Sequence, residues 1–262
     1  MPSSLISLVI PCFNEEGRID ATLERSIAFL ESRGEPWEIV VVDDGSLDAT
    51  SDVVRRRSGA SRRVRLLRNE RNHGKGWAVR EGFRAASGDF ILFSDADLST
   101  PIEELSRFVD KAREGFDLVI ASRVVEGAEI VTPQSFSRRL SGGVFRTLVR
   151  SLGLSSFRDT QCGFKLMRRE TAAPILDAVA TQGFAFDVEL LLRAESAGLR
   201  IAELPVPWSD AAGSKVRLFP DALRMMLDLL RLRIRLCENR DRSKFSAPLI
   251  RGSKSRQPRR GK

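Results

Sequence analysis

The sequence has 262 residues, of which 42% are hydrophobic and 30% charged, so it can bury a large core and is not that of a disordered protein. Its formal net charge is +8, but seven basic residues and no acid lie in residues 243–262. Without that segment the chain carries about +1. We predict one folded domain over residues 1–242 and a basic disordered tail over residues 243–262. The charge therefore gives no support for nucleic-acid binding.

The cysteine and histidine content argues against a disulfide scaffold or a zinc site. The three cysteines are far apart, and the chain has a single histidine. The apolar run over residues 5–10 is short and stops at Pro11, which is typical of a strand and not of a signal peptide. No uninterrupted apolar window approaches the length of a membrane span. These features predict a cytoplasmic protein.

Short β-branched runs alternate with amphipathic segments of helical length through the first half of the chain. The predicted strands are Ser7–Ile10, Ile39–Val42, Arg65–Leu67, Phe90–Phe93 and Leu118–Ala121. The predicted helices are Ile19–Glu31, Ala49–Arg57, Gly76–Ala86 and Ile102–Glu114. This βαβ series predicts an α/β fold whose mostly parallel sheet is flanked by helices on both faces.

Acidic residues follow two of the predicted strands, at the edge where such sheets bind ligands. They are Asp43, Asp44, Asp95 and Asp97. Their mutual repulsion must be offset by a cation or by hydrogen-bond donors. Helix capping is the alternative, and it accounts for the neighbouring Ser46 and Thr100 but not for the four acids. The pattern therefore favours a ligand site.

The Asp95-Ala96-Asp97 segment has the chemistry of a divalent-cation site. With a backbone turn, one carboxylate can reach a hard cation and the other a ribose or a bound water. Mg²⁺ or Mn²⁺ would keep positions open for diphosphate oxygens and would neutralise a leaving nucleoside diphosphate.

The loop Asn72-His73-Gly74-Lys75-Gly76 opens a predicted helix and favours an anion. Its glycines allow close backbone approach, and the helix N-terminus and Lys75 attract negative charge. A plain turn is the alternative. The spacing is not that of a Walker A loop, and no Gly-x-Gly-x-x-Gly follows the first strand, which argues against a nicotinamide or flavin enzyme.

The motifs of the first half are similar to those of inverting glycosyltransferases of the GT-A fold, family 2. They are residues 9–15 (VIPCFNE), 41–46 (VVDDGS), 72–76 (NHGKG), 95–97 (DAD) and 121–123 (ASR). Within that family, the second half resembles the dolichyl-phosphate β-glucosyltransferases and their prokaryotic relatives. The residues concerned are 159–165 (DTQCGFK), 184–191 (FAFDVELL), Trp208 and 213–215 (GSK). The resemblance covers about residues 5–236.

The resemblance implies a nucleotide-sugar donor, most simply UDP-glucose, a polyprenyl phosphate acceptor, and Mg²⁺ or Mn²⁺ as cofactor. It implies that the donor contacts Pro11, Asn14, Glu15, Asp43, Asp44, Lys75, Asp95 and Arg123. It implies that the metal lies near Asp95, Asp97 and Ser99. Arg123 could equally contact the acceptor phosphate or be a surface arginine that ends a strand.

An inverting transfer needs a nucleophile opposite the leaving diphosphate, and the acceptor decides whether a base is required. A hydroxyl acceptor needs a carboxylate base, for which Asp187, at the start of a predicted helix, and Asp159 are the candidates. Helix capping is the alternative for Asp187. A lipid phosphate is largely a dianion near neutrality and needs cations instead. The candidate cations are Lys165, Lys215 and Arg217.

Residues 219–236 have the spacing of an amphipathic helix. The apolar positions are Leu223, Met226, Leu227, Leu230 and Ile234, with arginines around them. We expect partial packing on the core with an exposed edge toward lipid, so that the protein associates peripherally with the cytoplasmic face of a membrane. A soluble acceptor and a non-catalytic nucleotide-sugar binder are the alternative functions.

Overall fold

The computed structural model describes residues 4–132, 136–152, 156–210 and 225–235. The strands are β1 (Ile6–Cys12), β2 (Trp37–Asp43), β3 (Val64–Arg68), β4 (Phe90–Ser94), β5 (Leu118–Ser122), β6 (Glu129–Thr132), β7 (Phe164–Arg168), β8 (Ile201–Pro205) and β9 (Pro207–Ser209). The helices are α1 (Ile19–Ser32), α2 (Thr50–Ala60), α3 (Lys75–Ala85), α4 (Leu105–Arg113), α5 (Phe136–Ser151), α6 (Arg169–Ala178) and α7 (Phe186–Ser196). A 3₁₀ turn (Ile102–Glu104) precedes α4, and residues 225–235 are helical.

Seven strands form the central sheet in the order β3-β2-β1-β4-β7-β5-β8. All neighbours are parallel except β7, which is antiparallel to both β4 and β5. Strands β6 and β9 pair separately. The predicted α/β class with a mostly parallel sheet is therefore confirmed, and the reversed strand is a feature that the sequence did not predict.

Helices cover both faces of the sheet, which explains why its strands are continuous apolar runs. Along β1, Leu8 and Ile10 face the core cluster formed with α1, α2 and α4, whereas Val9 faces the cluster formed with α3, α6 and α7. Successive side chains of a strand point to opposite faces, so both sets must be apolar. The sheet is thus held between two hydrophobic layers.

The reversal of β7 changes what lies at the ligand edge. Phe164 pairs with Ser94, the last residue of β4, and Lys165 pairs with Phe93 and Ile120. Because β7 runs opposite to its neighbours, its first residues lie where β4 and β5 end. The strand thereby carries Lys165 into the centre of the sheet, close to the acids that follow β4.

A third apolar cluster lies between α5, α7 and helical residues 225–235. It contains Phe145, Val149, Val188, Leu229 and Leu232. Of the predicted helix 219–236, only residues 225–235 are described. The predicted tail over residues 243–262 lies outside the described residues and stays a prediction. No helix within the described ranges combines the length and apolar character that crossing a membrane requires.

Candidate active site

The loops after β1 and β2 are joined by hydrogen bonds. The Asn14 amide donates to Ser46 Oγ and the Leu47 amide donates to Asn14 Oδ1, both at 2.8 Å, and the Glu15 amide donates to Thr50 Oγ1 at 2.7 Å. Asn14 has a φ of 54°, a left-handed conformation that a non-glycine residue keeps only when its surroundings hold it. These bonds fix the two loops against each other.

Of the remaining predicted donor residues in this part of the chain, Pro11 is buried and Glu15 is ion-paired. Pro11 pairs with Val42 inside the sheet, so it contributes to the shape of the edge. The Glu15 carboxylate lies 2.7 Å from Arg18 Nε at the start of α1. The structure therefore brings Asn14 and Glu15 to the edge and keeps Pro11 below it.

Asp43 and Asp44 are buried and surrounded by hydrogen-bond donors. Asp43 is 0% exposed and accepts bonds from the Ser46 amide, at 2.9 Å, and from the Ser51 hydroxyl. Asp44 is 3% exposed. The donors to Asp44 are the Asn69 side chain (2.7 Å) and the amides of His73 (3.0 Å) and Gly74 (2.7 Å). Among the described residues, fixed donors and no paired cation offset their charge, and Asp44 ties the loop before α3 to β2.

Asp95 and Asp97 lie on a turn that is anchored from both sides. The Thr22 hydroxyl of α1 donates to the Ala96 carbonyl at 2.6 Å, and the Asp95 amide donates to the Gly163 carbonyl at 3.0 Å. Leu98 has a φ of 48°, the second left-handed non-glycine residue of the described chain. Both such residues thus follow strands at the ligand edge, which is where strained backbone often marks a functional site.

Gly163 allows Asp95 to occupy its position. A Cβ atom on Gly163 would lie 1.8 Å from Asp95 Oδ2. That distance is far below any contact that two heavy atoms tolerate. A glycine just before β7 therefore leaves room for the Asp95 carboxylate, which any side chain at this position would displace.

Lys75 supplies a cation to this edge. Its Nζ lies 2.7 Å from Asp95 Oδ1 and 5.0 Å from the centre of the Phe93 ring. Burial lowers the pKa of Lys75, but the charges of Asp95 and Asp187 outweigh that effect, so the net pKa is raised and the ammonium stays charged. The lysine at the N-terminus of α3 thus balances one of the two acids.

Asp97 is balanced less completely than Asp95. The Ser99 amide donates to Asp97 Oδ1 at 2.9 Å, and Arg18 Nη1 lies 4.0 Å from its other oxygen. Burial and the neighbouring charge of Asp95 raise the pKa of Asp97. A nearby cation would stabilise the charged form of Asp97.

The residues present fit a hard divalent cation. Asp95 and Asp97 keep side-chain exposures of 35% and 26%, and Ser99 is adjacent. Among the residues that the structure describes, no group of three or more His, Cys, Asp or Glu side chains could hold a metal. The protein would thus supply only two carboxylates, which suits Mg²⁺ or Mn²⁺ that completes its shell with phosphate oxygens and water.

Lys165 and Asp187 form a buried ion pair beneath the acids. Lys165 Nζ lies 2.5 Å from Asp187 Oδ1 and donates to the Cys162 carbonyl at 2.7 Å, and the two side chains are 0% and 2% exposed. Burial raises the pKa of Asp187, and the charges of Lys165 and Lys75 oppose that rise. Lys165 is buried in this pair, and its contact with an acceptor phosphate stays a prediction. Asp187 engages this lysine and does not cap its helix.

Arg123 and Asp159 form a second pair. Arg123 Nε and its amide donate to Asp159 Oδ2 at 2.7 and 3.0 Å, Nη2 donates to Oδ1 at 2.8 Å, and the guanidinium stacks over Trp208. Burial acts to raise the pKa of Asp159, but Arg123 outweighs it and holds the pKa at about 2. A carboxylate held in this way is a poor proton acceptor, and the role of Asp159 as a base stays a prediction. Arg123 is not a free surface arginine.

The remaining predicted acceptor residues, Lys215 and Arg217, lie outside the described residues. Sequence reasoning missed Arg18, Thr22 and Gly163 as parts of the site. Gly163 stands within a motif that was noted, so its position beside an acidic turn could have been weighed. Arg18 and Thr22 carry no motif, and only their place on the helix after β1 brings them to Asp97 and Ala96.

The mostly parallel sheet, with β7 reversed and paired acids after β4, has the architecture of the GT-A fold. Its structure is similar to that of glucosyl-3-phosphoglycerate synthase from Mycobacterium tuberculosis in complex with Mn²⁺ and UDP-glucose. The TM-score is 0.63 at 21% identity, and the alignment covers 88% of this chain and 79% of that chain. At this identity the likeness shows the fold.

Sequence comparison identifies the family. The model of the glycosyl transferase family 2 matches residues 7–175. Dolichyl-phosphate β-glucosyltransferase of Dictyostelium discoideum is 34% identical over 242 residues, which are 88% of this chain and 74% of that protein. The human enzyme of the same name is 35% identical over 251 residues, 89% of this chain and 76% of that protein. The chain belongs to glycosyl transferase family 2 and is an enzyme of that class.

Proposed function

We propose that this enzyme transfers glucose from UDP-glucose to a polyprenyl phosphate of the dolichyl type, with inversion, to give a β-linked lipid-phosphate sugar. The names of the relatives that match most of the chain support both the sugar and the acceptor. One observation carries the class of acceptor independently. Both carboxylates that could serve as a general base are engaged by cations.

That observation separates a phosphate acceptor from a hydroxyl acceptor. A sugar hydroxyl must lose its proton to a base, but Asp159 is held by Arg123 and Asp187 by Lys165. A phosphate monoester has a second pKa of about 6 and is already a nucleophilic dianion near neutrality. A site whose candidate bases are both paired is thus suited to phosphate.

The proposed reaction is a single displacement. A non-bridging oxygen of the acceptor phosphate forms a bond to the anomeric carbon of glucose while the bond from that carbon to UDP breaks. The electron pair leaves with UDP, and no proton changes hands when the acceptor is a dianion. The configuration at the anomeric carbon inverts, so an α-linked donor gives a β-linked product.

The donor and its metal are assigned to the edge after β4. Asp95, Asp97 and Ser99 are the residues that would hold Mg²⁺ or Mn²⁺, which when bound neutralises the charge of the diphosphate. Lys75, at the N-terminus of α3, adds fixed positive charge for the same anion. The joined loops of Asn14 and Asp44 frame the nucleoside side of the site.

Membrane association is assigned to helical residues 225–235. Leu229 and Leu232 pack against α5 and α7, whereas four other large apolar side chains of the same helix are exposed by 39–59%. These are Met226, Leu227, Leu230 and Ile234. Arg231 and Arg233 flank this apolar face, an arrangement that favours the interfacial plane of a lipid bilayer. The enzyme would bind an acceptor with a polyprenyl chain at this membrane surface.

The decisive experiment is sugar transfer in detergent with polyprenyl phosphate and Mn²⁺ or Mg²⁺. Radiolabelled UDP-glucose, GDP-mannose and UDP-N-acetylglucosamine are compared in parallel, with phosphoglyceric acid as a soluble acceptor. We expect glucosylated lipid from UDP-glucose, and its loss with EDTA and in Asp97→Ala.

The matched control is Asp110→Ala, which removes a carboxylate that is 73% exposed on α4. It is expected to keep wild-type activity. Product on the soluble acceptor alone would refute the lipid acceptor, and binding of the donor without any transfer would refute the reaction. A higher transfer rate with another donor would assign that sugar to the enzyme in place of glucose.

A further inference from the structure

A second polar cavity lies outside the strand-end site. It has a volume of about 530 Å³, within the range of small-molecule sites. It lies between the loop after β5, helix α5 and the segment before β7. The lining residues are Val124, Gly143, Arg146, Thr147, Arg150 and Arg158. None of the acids or lysines of the strand-end site lines it.

The cavity concentrates positive charge that no acid of the described residues neutralises. Across the described ranges, no acidic side chain lies within 4.0 Å of the guanidinium groups of Arg146, Arg150 and Arg158. Glu203, which contacts this segment, accepts bonds from the amides of Arg158 and Asp159. By contrast, the arginines of α1, α2 and α3 are commonly paired with acids, as in Arg25–Glu103, Arg57–Asp20 and Arg84–Asp177.

Helix α5 connects this cavity to the apolar face of helical residues 225–235. Arg146 and Arg150 are one turn apart on one side of α5, and Phe145 and Val149 of its other side pack against Leu229 and Leu232. Between these two sides, Val144 is 61% exposed. An arginine-lined cavity and an outward apolar face are therefore borne by two helices in direct contact.

We propose that the cavity binds the phosphate of an anionic membrane phospholipid through Arg146, Arg150 and Arg158. A guanidinium offers a planar pair of donors that matches two phosphate oxygens. Three arginines around one cavity can therefore hold a phosphate by specific hydrogen bonds as well as by charge. In the proposed reaction the lipid phosphate must reach the donor held at Asp95 and Asp97, and neither of these residues lines the cavity. A lipid that anchors the enzyme fits this position better. The inference rests on the proposed membrane association.

The experiment uses the full chain and vesicles of phosphatidylcholine with and without phosphatidylglycerol. The variant Arg146→Gln/Arg150→Gln/Arg158→Gln is compared with Arg55→Gln/Arg56→Gln/Arg62→Gln, which removes the same charge from exposed residues on and after α2, by strand β3 at the far end of the sheet. We expect at least a tenfold loss of partitioning into phosphatidylglycerol vesicles for the first variant. The second variant is expected to remain near wild type, and binding to pure phosphatidylcholine is expected to be unchanged in both.

A third variant separates a site from a charged surface. Arg146→Lys/Arg150→Lys/Arg158→Lys keeps the charge but loses the paired donors, and we expect it to lose most of the phosphatidylglycerol preference. If the lysine variant partitioned like the wild type, diffuse charge alone would explain binding, and the inference would be overturned. Equal partitioning of the two glutamine variants would overturn it as well.

Two further measurements distinguish other sources of phosphate. If the glutamine variant at the cavity keeps vesicle binding but raises KM for polyprenyl phosphate in neutral detergent, the cavity holds the acceptor, and the inference is wrong. Calorimetry with inorganic phosphate compares the wild type with the glutamine variant at the cavity. If only the wild type binds phosphate while both partition equally into vesicles, a free phosphate is the ligand and the inference is again wrong. The failure of wild-type enzyme to glucosylate lipid in detergent would refute the proposed function alone.

Discussion

The acids at the end of β2 and those after β4 are both pairs of aspartates that follow a strand, but their surroundings differ. Asp43 and Asp44 are almost fully buried, and their oxygens accept bonds from backbone amides, one hydroxyl and one side-chain amide. Asp95 and Asp97 remain about one-third and one-quarter exposed and face Lys75 and Arg18. The charge of Asp43 and Asp44 is thus offset mainly by donors that are fixed in the backbone.

The difference indicates which carboxylates can take part in chemistry. Fixed amide donors hold a carboxylate in one place and turn it into a structural bracket for the loops. Asp95 and Asp97 are partly exposed, so each can exchange its lysine or arginine partner for a metal or for charge on a substrate. Asp159 and Asp187 are buried together with their cations and cannot do so as readily. Partner type, more than the presence of an acid, therefore separates scaffold from reactive edge.

The largest expected effect comes from breaking the buried pair below the reactive edge. Lys165→Met leaves Asp187 buried without its cation, which should lower the free energy of unfolding by about 4 kcal/mol. Urea unfolding at neutral pH measures this, and Lys165→Met/Asp187→Leu should recover much of the loss. A loss below about 1 kcal/mol in the single variant would mean that the pair does not hold the site together.

The next effect is on activity. Asp95→Asn keeps the shape of the turn but removes a charge from the proposed metal site, so kcat/KM for sugar transfer should fall at least about a hundredfold. The midpoint of urea unfolding should change little, because the side chain is partly exposed. Near-normal transfer by this variant would place the reactive acids elsewhere.

A pH dependence of stability should arise from Asp159. Its pKa of about 2 in the folded protein is below the ordinary value of 3.8, so between these values the unfolded chain binds more protons. The pair with Arg123 thus contributes about 2 kcal/mol above pH 4, and this is lost as the pH falls toward 2. Urea unfolding across that range should show the loss in wild type. Asp159→Asn should remove that part of the slope, and an unchanged slope would refute the assignment.

The smallest effect sharpens the comparison directly. Asp44→Asn makes at the end of β2 the same change as Asp95→Asn after β4, but here an amide must replace an oxygen that accepts from fixed donors. We expect a loss of about 1.5 kcal/mol in the free energy of unfolding, and a smaller loss of activity in the folded variant than Asp95→Asn causes. If the two variants behaved alike, the distinction between scaffold and reactive edge would fail.

The N-terminal half was predictable because parallel strands buried on both faces are continuous apolar runs. The predicted strand Ile39–Val42 lies within Trp37–Asp43, and the predicted helix Ile19–Glu31 differs by one residue from Ile19–Ser32. Boundaries shift because helix and strand ends are set by tertiary hydrogen bonds as well as by local pattern.

The reversed strand and the buried pairs were not predictable from pattern. Strand β7 has the sequence FKLMR, in which Lys165 interrupts the apolar run that would mark a buried strand. Its partner Asp187 is 22 residues away, and Arg123 and Asp159 are 36 residues apart. No helical or strand period links such positions. Only the folded structure therefore shows which acid pairs with which cation.

The insertion of β7 between β4 and β5 also sets an order of assembly. Ser94 pairs with Phe164, about 70 residues later in the chain, whereas β1 finds β2 within a short span. During synthesis the N-terminal strands can pair with one another early, while β4 keeps an unpaired edge until β7 has left the ribosome. The edge after β4 is therefore completed late, after β1, β2 and β3 have paired, and a chain truncated before residue 164 would have the scaffold acids in place without the strand that carries Lys165.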